Sequence, residues 1–337
     1  MSPRVSVVVP TYNRADLISE TLESILAQSL PPAEVIVVDD GSLDDTPARL
    51  AAFGSRIRAI RIANSGELVA RNHGIRAASG DLIAFCDSDD LWRPDHLASM
   101  ARIWLAEPTT RAAYANFRIV RDGRWSERDK FADAPPGYWE ELEHPAEGIA
   151  LIRTSWFERL VAFMPFFPSA FVVRRDVFQG MGGWDEAVNR QVSMDIATTF
   201  RIADIPPVGL VTAPTVGIRK HAGNFSADIQ AMNLGDAAML EYLLRSYPPA
   251  AAHAGLIGRS VAERRISALA VAFARQDFGA VSNIRALLGN APMPAAARLK
   301  SLIANLPRPV AHGIAGAALG FGSLKASLIA AGRSEKA

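Results

Sequence analysis

The sequence predicts an α/β fold: a mixed, mainly parallel sheet flanked by helices, followed by an α-helical C-terminal extension. Strand and helix patterns alternate over the first 120 residues, which is typical of strands joined by helical crossovers. From about residue 233 the chain is rich in Ala and Leu, and its pattern is helical. We therefore place one domain over residues 1–230, in two halves (1–120 and 121–230), and the extension over residues 231–337.

The first 120 residues hold four predicted strands and two predicted helices. The strands are short apolar runs, and two of them lead directly into clusters of acids. The first helix carries its apolar residues on one face, with Asn13 as its predicted N-cap and Pro31-Pro32 beyond its end. In order, the elements are strand Val5–Val9, helix 15–28, strand Val35–Val38, strand Ile57–Ile62, helix 67–78 and strand Leu82–Cys86.

The rest of the chain is less regular until the C-terminal helices. Residues 121–168 are rich in Pro and aromatic side chains and show weak periodicity. These aromatics could form stacking surfaces for a ligand or could simply be core, and the pattern does not separate the two. Periodic order returns at Ala170–Arg174, and residues 259–276 give the clearest helix of the C-terminal part.

The charge balance separates the body of the chain from its tail. The 337 residues have a net charge of +1, but residues 278–337 carry +6 and residues 1–277 carry −5. Because the basic charge is confined to the tail, we do not expect nucleic acid as a partner. The single cysteine excludes an internal disulfide framework and a Cys-based zinc cluster. Val5–Val9 is too short for a signal-peptide core.

Polar clusters follow three of the predicted strands. Because the carboxyl ends of parallel strands meet at one edge of a sheet, where ligands bind, these clusters should converge. In the third cluster, Asp87 and Asp89 can face one cation, and hard oxygen ligands suit Mg²⁺ or Mn²⁺. A solvated Asp-rich turn is the alternative. The clusters are Pro10-Thr11-Tyr12-Asn13, Asp39-Asp40-Gly41-Ser42 and Asp87-Ser88-Asp89-Asp90.

Two further features suit a nucleotide ligand. A carboxylate in the Asp39-Asp40 turn can accept hydrogen bonds from a base N–H or a ribose hydroxyl, although such turns are also common punctuation between strand and helix. Arg71, on the second predicted helix, can contact a diphosphate because a guanidinium matches phosphate oxygens. A surface arginine is the alternative for that position.

Taken together, the motifs resemble glycosyltransferase family 2, whose members have the GT-A fold. The resemblance covers about residues 4–226, or two-thirds of the chain, and it rests on the ordered set more than on any one motif. The matching segments are VSVVVPTYNRADLISETLESILAQ, VIVVDDGSLDDT, ARNHGIRAASGDLIAFCDSDDLWRPDHL, GGWDEAVNRQVSMD and RKHAGNFS.

The resemblance implies roles for individual residues. Asp40 would pair with the uracil-like edge of the base, while Asp39 supports the turn. Arg71 would approach the diphosphate. The nucleotide pocket would be lined by Pro10, Thr11, Tyr12 and Asn13, and metal would be held by Asp87 (also contacting ribose), by Asp89 as principal ligand and by His221. For His221, a hydrogen-bonded loop histidine is the alternative.

Asp195 is the candidate general base. Members of the family often show Glu-Asp here, whereas this sequence has Met194-Asp195. A helix N-cap ahead of Ile196–Ile202 is the alternative role for Asp195. Asp185 is a weaker candidate for holding the donor sugar or the acceptor.

The implied activity is inverting, Mn²⁺- or Mg²⁺-dependent transfer from a nucleotide-diphosphate sugar, with UDP-sugars favoured. The acceptor would be a saccharide or a lipid-linked hydroxyl, in bacterial surface polysaccharide or glycolipid assembly. Residues 1–120 would then be the nucleotide-binding half and residues 121–230 the acceptor-side half. A non-catalytic nucleotide-sugar-binding or scaffold protein is the alternative, favoured by Met194. Nucleotidyl transfer is a third reading, but no Gly-rich phosphate loop follows the first strand.

The tail needs its own explanation. Residues 310–331 are long enough to span a membrane, but Ala and Gly dominate and Lys325 lies inside, so we expect no span. A helical stripe with basic neighbours favours contact with an anionic membrane surface; docking on the protein's own core is the alternative. We thus expect a cytoplasmic protein, peripheral on the cytoplasmic face of the inner membrane. The stripe comprises Ile314, Ala318, Phe321, Leu324 and Leu328.

Overall fold

The computed structural model describes residues 3–221 and 228–317. The chain forms two compact units, Met1–Asn224 and Phe225–Ala337, and each is described by itself.

The first unit is built around one sheet. Within its described residues the strands are β1 Val5–Thr11, β2 Glu34–Asp39, β3 Arg58–Arg61, β4 Leu82–Phe85, β5 Leu91–Trp92, β6 Ala112–Arg121, β7 Arg124–Asp129, β8 Glu143–Ala146, β9 Ile149–Ile152, β10 Phe171–Arg174 and β11 Val208–Arg219. The helices are α1 Ile18–Leu26, α2 Thr46–Ala51, α3 Glu67–Ala77, α4 His96–Ala106, α5 Phe157–Ala162, α6 Arg175–Gly180 and α7 Asp195–Ala203.

The strand order is β3-β2-β1-β4-β10-β6-β11-β9-β8, with β5 paired to β11 and β7 paired to β6. Neighbours among β3, β2, β1 and β4 are parallel, and so are β6 and β11. Because β10 is antiparallel to both β4 and β6, it restores a common direction to these two strands. Hence β1, β2, β4 and β6 all end at the same edge. This arrangement confirms the prediction of a mixed, mainly parallel sheet flanked by helices.

Asn13 does not cap the first helix, and that prediction was wrong. Helix α1 begins at Ile18 with Leu17 at its N-cap. Asn13 instead has a left-handed backbone, with φ of 51°. Its N–H donates to Ser42 Oγ at 2.9 Å and its Oδ1 accepts from the Leu43 N–H at 2.8 Å. The side chain therefore joins the loop after β1 to the loop after β2.

The middle segment contains β7, β8 and β9, which its weak periodicity did not reveal. Edge strand β8 is mostly exposed, whereas β9 is buried on both sides. Neither pattern alternates, because one strand lies at the margin of the sheet and the other lies inside it.

The second unit is helical over residues 228–317. Its helices are α8 Ile229–Ser246, α9 Ala254–Ala274, α10 Phe278–Leu288 and α11 Ala295–Ala304, with further helix over residues 308–317. Its core includes Leu269, Phe273, Ile284, Ala311 and Ala315. Among the described residues, no helix is both long and apolar enough to cross a membrane.

His96, the first residue of α4, is a buried neutral histidine in the first unit. It is fully buried, and its Nδ1 lies 2.8 Å from Thr215 Oγ1. Burial lowers the pKa of His96 to about 3. An unfolded histidine titrates near pH 6.5, so between these values the unfolded chain binds a proton that the folded chain rejects. Stability from this group is thus present above about pH 6.5 and is lost as the pH falls.

We expect acidification from pH 7 to pH 5 to cost the wild type up to about 2 kcal/mol more unfolding free energy than His96→Gln. Urea unfolding followed by tryptophan fluorescence measures this, because all six tryptophans lie in the first unit. Other titrating groups are shared by the two proteins and cancel in the difference. Equal losses in both proteins would contradict the prediction.

Candidate active site

The ends of β1 and β2 form one wall of the site. The Asp40 N–H donates to the Thr11 carbonyl at 2.9 Å, which holds the two strand ends together. Asp39 is buried; its Oδ1 accepts from the Ser42 N–H at 2.9 Å and its Oδ2 lies 3.2 Å from Arg61. Asp39 thus closes the turn. Pro10 lies in β1, and Tyr12 is 39% exposed at the strand end.

Asp40 anchors the loop that leads into α3. Its two carboxylate oxygens accept from the backbone N–H groups of Ser65 at 2.6 Å and Gly66 at 2.8 Å. The residue is 4% exposed. A carboxylate has about four acceptor positions, so two remain for a ligand donor such as a base N–H.

Arg71 is buried, with 1% of its side chain exposed, so it is not a surface arginine. Its Nη2 donates to Asp87 Oδ1 at 2.6 Å and also pairs with Glu67. The guanidinium lies over the Trp184 ring, 4.8 Å from its centroid. Desolvation lowers the pKa of Arg71, but the carboxylates of Glu67 and Asp87 outweigh it and leave the pKa raised. The cation is therefore permanent.

Glu67 is a member of the site that the sequence reading missed. It lies four residues before Arg71 on α3, and that spacing is the signal that could have found it. Although 44% of its side chain is exposed, its carboxylate is partly withdrawn from water by its neighbours. That withdrawal, and then the charges of Asp87, Asp195 and Asp89, raise the pKa of Glu67 to about 7 against the opposing effect of Arg71.

The carboxylates of the acidic turn after β4 lie in two different environments. Asp89 Oδ2 lies 3.0 Å from His221 Nε2 and 3.5 Å from Arg14 Nε, so the structure brings His221 to this turn. Asp90 instead points inward and accepts from Ser169 Oγ at 2.5 Å and from the Arg219 N–H at 2.8 Å.

Asp90 is thereby a structural clamp rather than a ligand-facing acid. Burial and then the charges of Asp89 and Asp87 raise its pKa well above the usual range. Ser169 reinforces the clamp, since its Oγ also accepts from the Asp87 N–H at 2.9 Å and its carbonyl accepts from Trp92 Nε1 at 2.8 Å.

Asp87, Asp89 and His221 offer oxygen and nitrogen donors of the types that Mn²⁺ and Mg²⁺ accept. In the described residues 3–221 and 228–317, no three His, Cys, Asp or Glu side chains converge as a complete metal site. Asp89 and His221 do approach each other, and Arg14 also lies near the Asp89 carboxylate. The residues present fit a partial shell that a ligand's phosphate oxygens would complete.

The loop 183–186 is held against α3 by Asn72. Its Oδ1 accepts from the Trp184 N–H at 2.9 Å, and its Nδ2 donates to the Trp184 carbonyl and to Glu186 Oε1, both at 2.8 Å. Asp185 accepts from the Ala187 N–H at 3.1 Å and so caps the short turn that follows. This loop brings Trp184 under the Arg71 guanidinium.

Asp195 is the first residue of α7, and the N-cap is Met194. The alternative prediction, that Asp195 is the N-cap of this helix, was therefore wrong. Ser193, two residues earlier, has φ of 62°, a left-handed backbone that fixes how the chain enters the helix. Burial and then the negative charge of Asp195 raise the pKa of Tyr114, and Asp195 also acts on Arg71. The charge of Asp195 is thus coupled electrostatically to Arg71 and Tyr114.

The fold has known counterparts. Staphylococcus aureus TarS 1–349, solved with UDP-GlcNAc, is 19% identical, covers 92% of this chain and 91% of its own, and gives a TM-score of 0.59. A mannosyltransferase from Pyrobaculum calidifontis, PcManGT, solved with GDP-Man and Mn²⁺, is 22% identical with a TM-score of 0.51, covering 94% and 87%. The sheet order and these likenesses define the class of fold as GT-A, as predicted.

Sequence relatives name the family. Residues 6–160 match the model of Glycosyl transferase family 2. The uncharacterized glycosyltransferase YwdF of Bacillus subtilis is 28% identical over 68% of this chain and 79% of its own. The putative teichuronic acid biosynthesis glycosyltransferase TuaG of the same organism is 38% identical over 40% of this chain and 54% of its own. The predicted resemblance to glycosyltransferase family 2 and the prediction of a transferase are thus confirmed.

Substitution of two adjacent glycines tests how loop 183–186 packs on α3. Gly182 and Gly183 both have positive φ, 85° and 74°. A Cβ at Gly183 would lie 2.5 Å from Asn72 Oδ1, whereas one at Gly182 would meet nothing within 4 Å. We expect Gly182→Ala to cost about 1 kcal/mol of unfolding free energy and Gly183→Ala about 2–4 kcal/mol. Urea unfolding by tryptophan fluorescence measures both; equal costs would show that the contact with Asn72 is unimportant.

Proposed function

We propose that this chain transfers a sugar, with inversion, from a nucleotide-diphosphate sugar to a hydroxyl of a saccharide or lipid-linked acceptor. UDP-sugars are the favoured donors, and bacterial surface polysaccharide or glycolipid assembly is the favoured setting. The observation that carries the proposal is the buried Arg71 paired with Asp87 at the edge where β1, β2 and β4 end. Two of the similar proteins support it: TuaG, a putative teichuronic acid biosynthesis glycosyltransferase, and TarS, which was solved with UDP-GlcNAc.

The donor would lie along the strand ends. The base would bind near Asp40, with Thr11, Tyr12 and Asn13 around it. Thr11 Oγ1 is buried and has no hydrogen-bond partner in the described part of the chain, so it is available to a ligand. The diphosphate would lie on Arg71, whose Nε also has no partner among the described residues. A guanidinium offers five N–H donors, so it can bind phosphate while keeping Asp87.

Asp89, His221 and Asp87 would hold the divalent cation, Mn²⁺ or Mg²⁺, together with the diphosphate. When bound, such a cation neutralises the charge that develops on a departing diphosphate. Arg71 serves the same end with a permanent charge that is already in position. PcManGT, solved with Mn²⁺, supports this assignment.

Asp195 would remove the proton from the acceptor hydroxyl. The acceptor oxygen forms a bond to the anomeric carbon while the bond from that carbon to the diphosphate oxygen breaks. The proton passes to the Asp195 carboxylate, and the electron pair of the broken bond leaves with the nucleoside diphosphate. Attack opposite the leaving group inverts the anomeric carbon.

The test is release of nucleoside diphosphate from a panel of UDP- and GDP-sugars, with MnCl₂ or EDTA. We expect at least one donor to be consumed in Mn²⁺ and spared in EDTA. Asp195→Asn should slow turnover by about 10²–10⁴-fold, the usual contribution of a general base, and still bind donor in a thermal-shift assay. Asp89→Asn should lose the Mn²⁺-dependent part of that thermal shift.

Asp176→Asn is the matched control, because Asp176 lies in the first turn of α6 as Asp195 lies in that of α7, yet it is 65% exposed and pairs with Arg174. It should leave turnover unchanged. Tight nucleotide binding without turnover, even with a crude lipid acceptor extract, would instead identify a non-catalytic binding protein. Pyrophosphate released from a nucleoside triphosphate would identify a nucleotidyltransferase.

We propose in addition that the second unit contacts an anionic membrane surface. Of the predicted stripe, only Ile314 lies within the described residues; Ala318, Phe321, Leu324 and Leu328 lie outside them. Apolar side chains that are 40–65% exposed also lie on α11, in the turn after it and on the helix over residues 308–317, and we call this set the exposed stripe. It comprises Leu299, Leu302, Leu306, Val310 and Ile314.

The basic side chains around this stripe favour an anionic membrane surface as its partner. Residues 278–317 contain four basic side chains and no Asp or Glu, so an anionic surface complements them. Ala311 and Ala315 are buried in the core of the unit, so this helix docks by one face and exposes another. An apolar stripe beside basic residues is the pattern of a helix that lies in a membrane interface.

Vesicle sedimentation tests this proposal. Leu299→Ser and Leu302→Ser should each weaken binding to phosphatidylglycerol vesicles by about tenfold, because each removes one inserted apolar side chain. Ile229→Ser is the control, since Ile229 is 61% exposed on α8, away from the stripe in sequence. Equal binding by all three variants, or self-association through the stripe without vesicle binding, would refute it.

A further inference from the structure

Two sets of aromatic residues in segment 125–167 differ in burial. Tyr138, Trp156, Phe157 and Phe166 are at most 5% exposed and belong to the core. Phe131 and Trp139 are only half-buried, and they line a cavity of about 320 Å³. The two readings of this segment, core and stacking surface, thus apply to different residues.

The cavity has the composition of a small-molecule site. Its apolar lining consists of Phe131, Trp139, Leu142 and Leu210, and the other lining groups are polar. The Phe131 and Trp139 rings lie 4.3 Å apart, and Trp139 Nε1 donates to the Phe131 carbonyl at 2.9 Å, which fixes the indole. The polar groups are Asn116, Asp129, His144 and Thr212.

Asn116 supports the floor of the cavity. Its Nδ2 donates to the Thr212 carbonyl at 2.9 Å, and its Oδ1 accepts from the Phe131 N–H at 3.0 Å. One buried side chain, 2% exposed, therefore ties β6 both to β11 and to the segment that carries the aromatic wall. The wall is held by the sheet itself rather than by a loose loop.

We propose that this cavity binds a sugar residue of the acceptor, at a distance from the hydroxyl that reacts. A sugar ring presents a patch of C–H groups and a rim of hydroxyls, which matches an aromatic wall with a few hydrogen-bonding side chains. The described lining contains one carboxylate and no Lys or Arg, so it does not suit a phosphate or a nucleotide. Its volume is at the small end of ligand sites, enough for one or two sugar rings.

Strand register places Asn116, at the floor of the cavity, on the same face of the sheet as Phe85 at the end of β4. Tyr114 of β6 pairs with Phe171 of β10 and with Leu210 of β11, and the Phe171 ring stacks on Phe85 of β4 at 5.7 Å. These side chains therefore share one face, and Asn116, two positions beyond Tyr114 on β6, shares it too. Asp87 lies in the turn just beyond the end of β4, and Thr212 lies at a bulge of β11, where its carbonyl accepts from Asn116 Nδ2.

The separation suits an acceptor longer than one sugar. Asn116 lies two strands away from the β4 end, about 10 Å at the usual strand spacing. Ring contacts also connect the two places. The pKa of Tyr114 is raised by burial and by the charge of Asp195, and its ring stacks on the Phe166 ring with centroids 4.1 Å apart. Phe166 contacts Trp156 at 6.4 Å, and Trp156 contacts Trp139 at 5.3 Å.

This inference rests on the proposed glycosyl transfer for its meaning, but binding tests it separately. The probes are methyl glycosides and neutral gluco-, galacto- and manno-oligosaccharides, measured by saturation-transfer NMR. At least one oligosaccharide should bind the wild type, and its affinity should fall by about tenfold in Trp139→Ala, the order expected when an aromatic contact is lost. His144→Ala, at an exposed position, should weaken the same oligosaccharide even if Trp139→Ala fails to fold.

Trp125→Ala is the matched control, since Trp125 is a half-buried tryptophan on β7 that lines no part of this cavity. It should bind the oligosaccharide as the wild type does. Donor hydrolysis in the absence of acceptor should also be unchanged in Trp125→Ala. If no probe binds, or if His144→Ala and folded Trp139→Ala bind as tightly as the wild type, the saccharide site is refuted. Absent donor turnover in the wild type would instead refute the proposed function.

Discussion

The site depends on one buried positive charge, the guanidinium of Arg71. Removing a cation from water is costly unless hydrogen-bonded counter-charges surround it. Asp87 and Glu67 supply those charges, and the Trp184 ring adds a favourable face. Because these partners come from α3, the turn after β4 and the loop after α6, the need to compensate one charge fixes three separate segments relative to each other.

That constraint leaves the site with both signs of charge before any ligand arrives. Burial and then the charges of Asp87, Asp195 and Asp89 raise the pKa of Glu67 to about 7. A cation or a ligand with fixed dipoles would relieve the crowding. Asp90, in the same turn, does not face the ligand side, because Ser169 and the Arg219 backbone bind its carboxylate inside the protein.

The order of the strands in the sheet relates the charged site to the aromatic cavity. Antiparallel β10 stands between β4 and β6 and returns them to a common direction, so both ends open at one edge. Alternation along β6 then places Asn116 on the same face as Tyr114 and, through Phe171, as Phe85. The acidic turn after β4 and the aromatic cavity are therefore about two strand spacings apart along this edge.

The sequence by itself determined the parallel half of the sheet and the identity of the strand-end acids. Short β-branched runs followed by Asp-rich turns are local signals, and parallel connections bring such turns to one edge whatever else the chain does. Only the tertiary structure decided that Arg71 is buried, that Glu67 joins it and that Asn13 ties two loops instead of capping α1. It likewise separated buried Trp156 from half-buried Trp139. Those outcomes depend on which distant segments cover each side chain, and no local pattern encodes that.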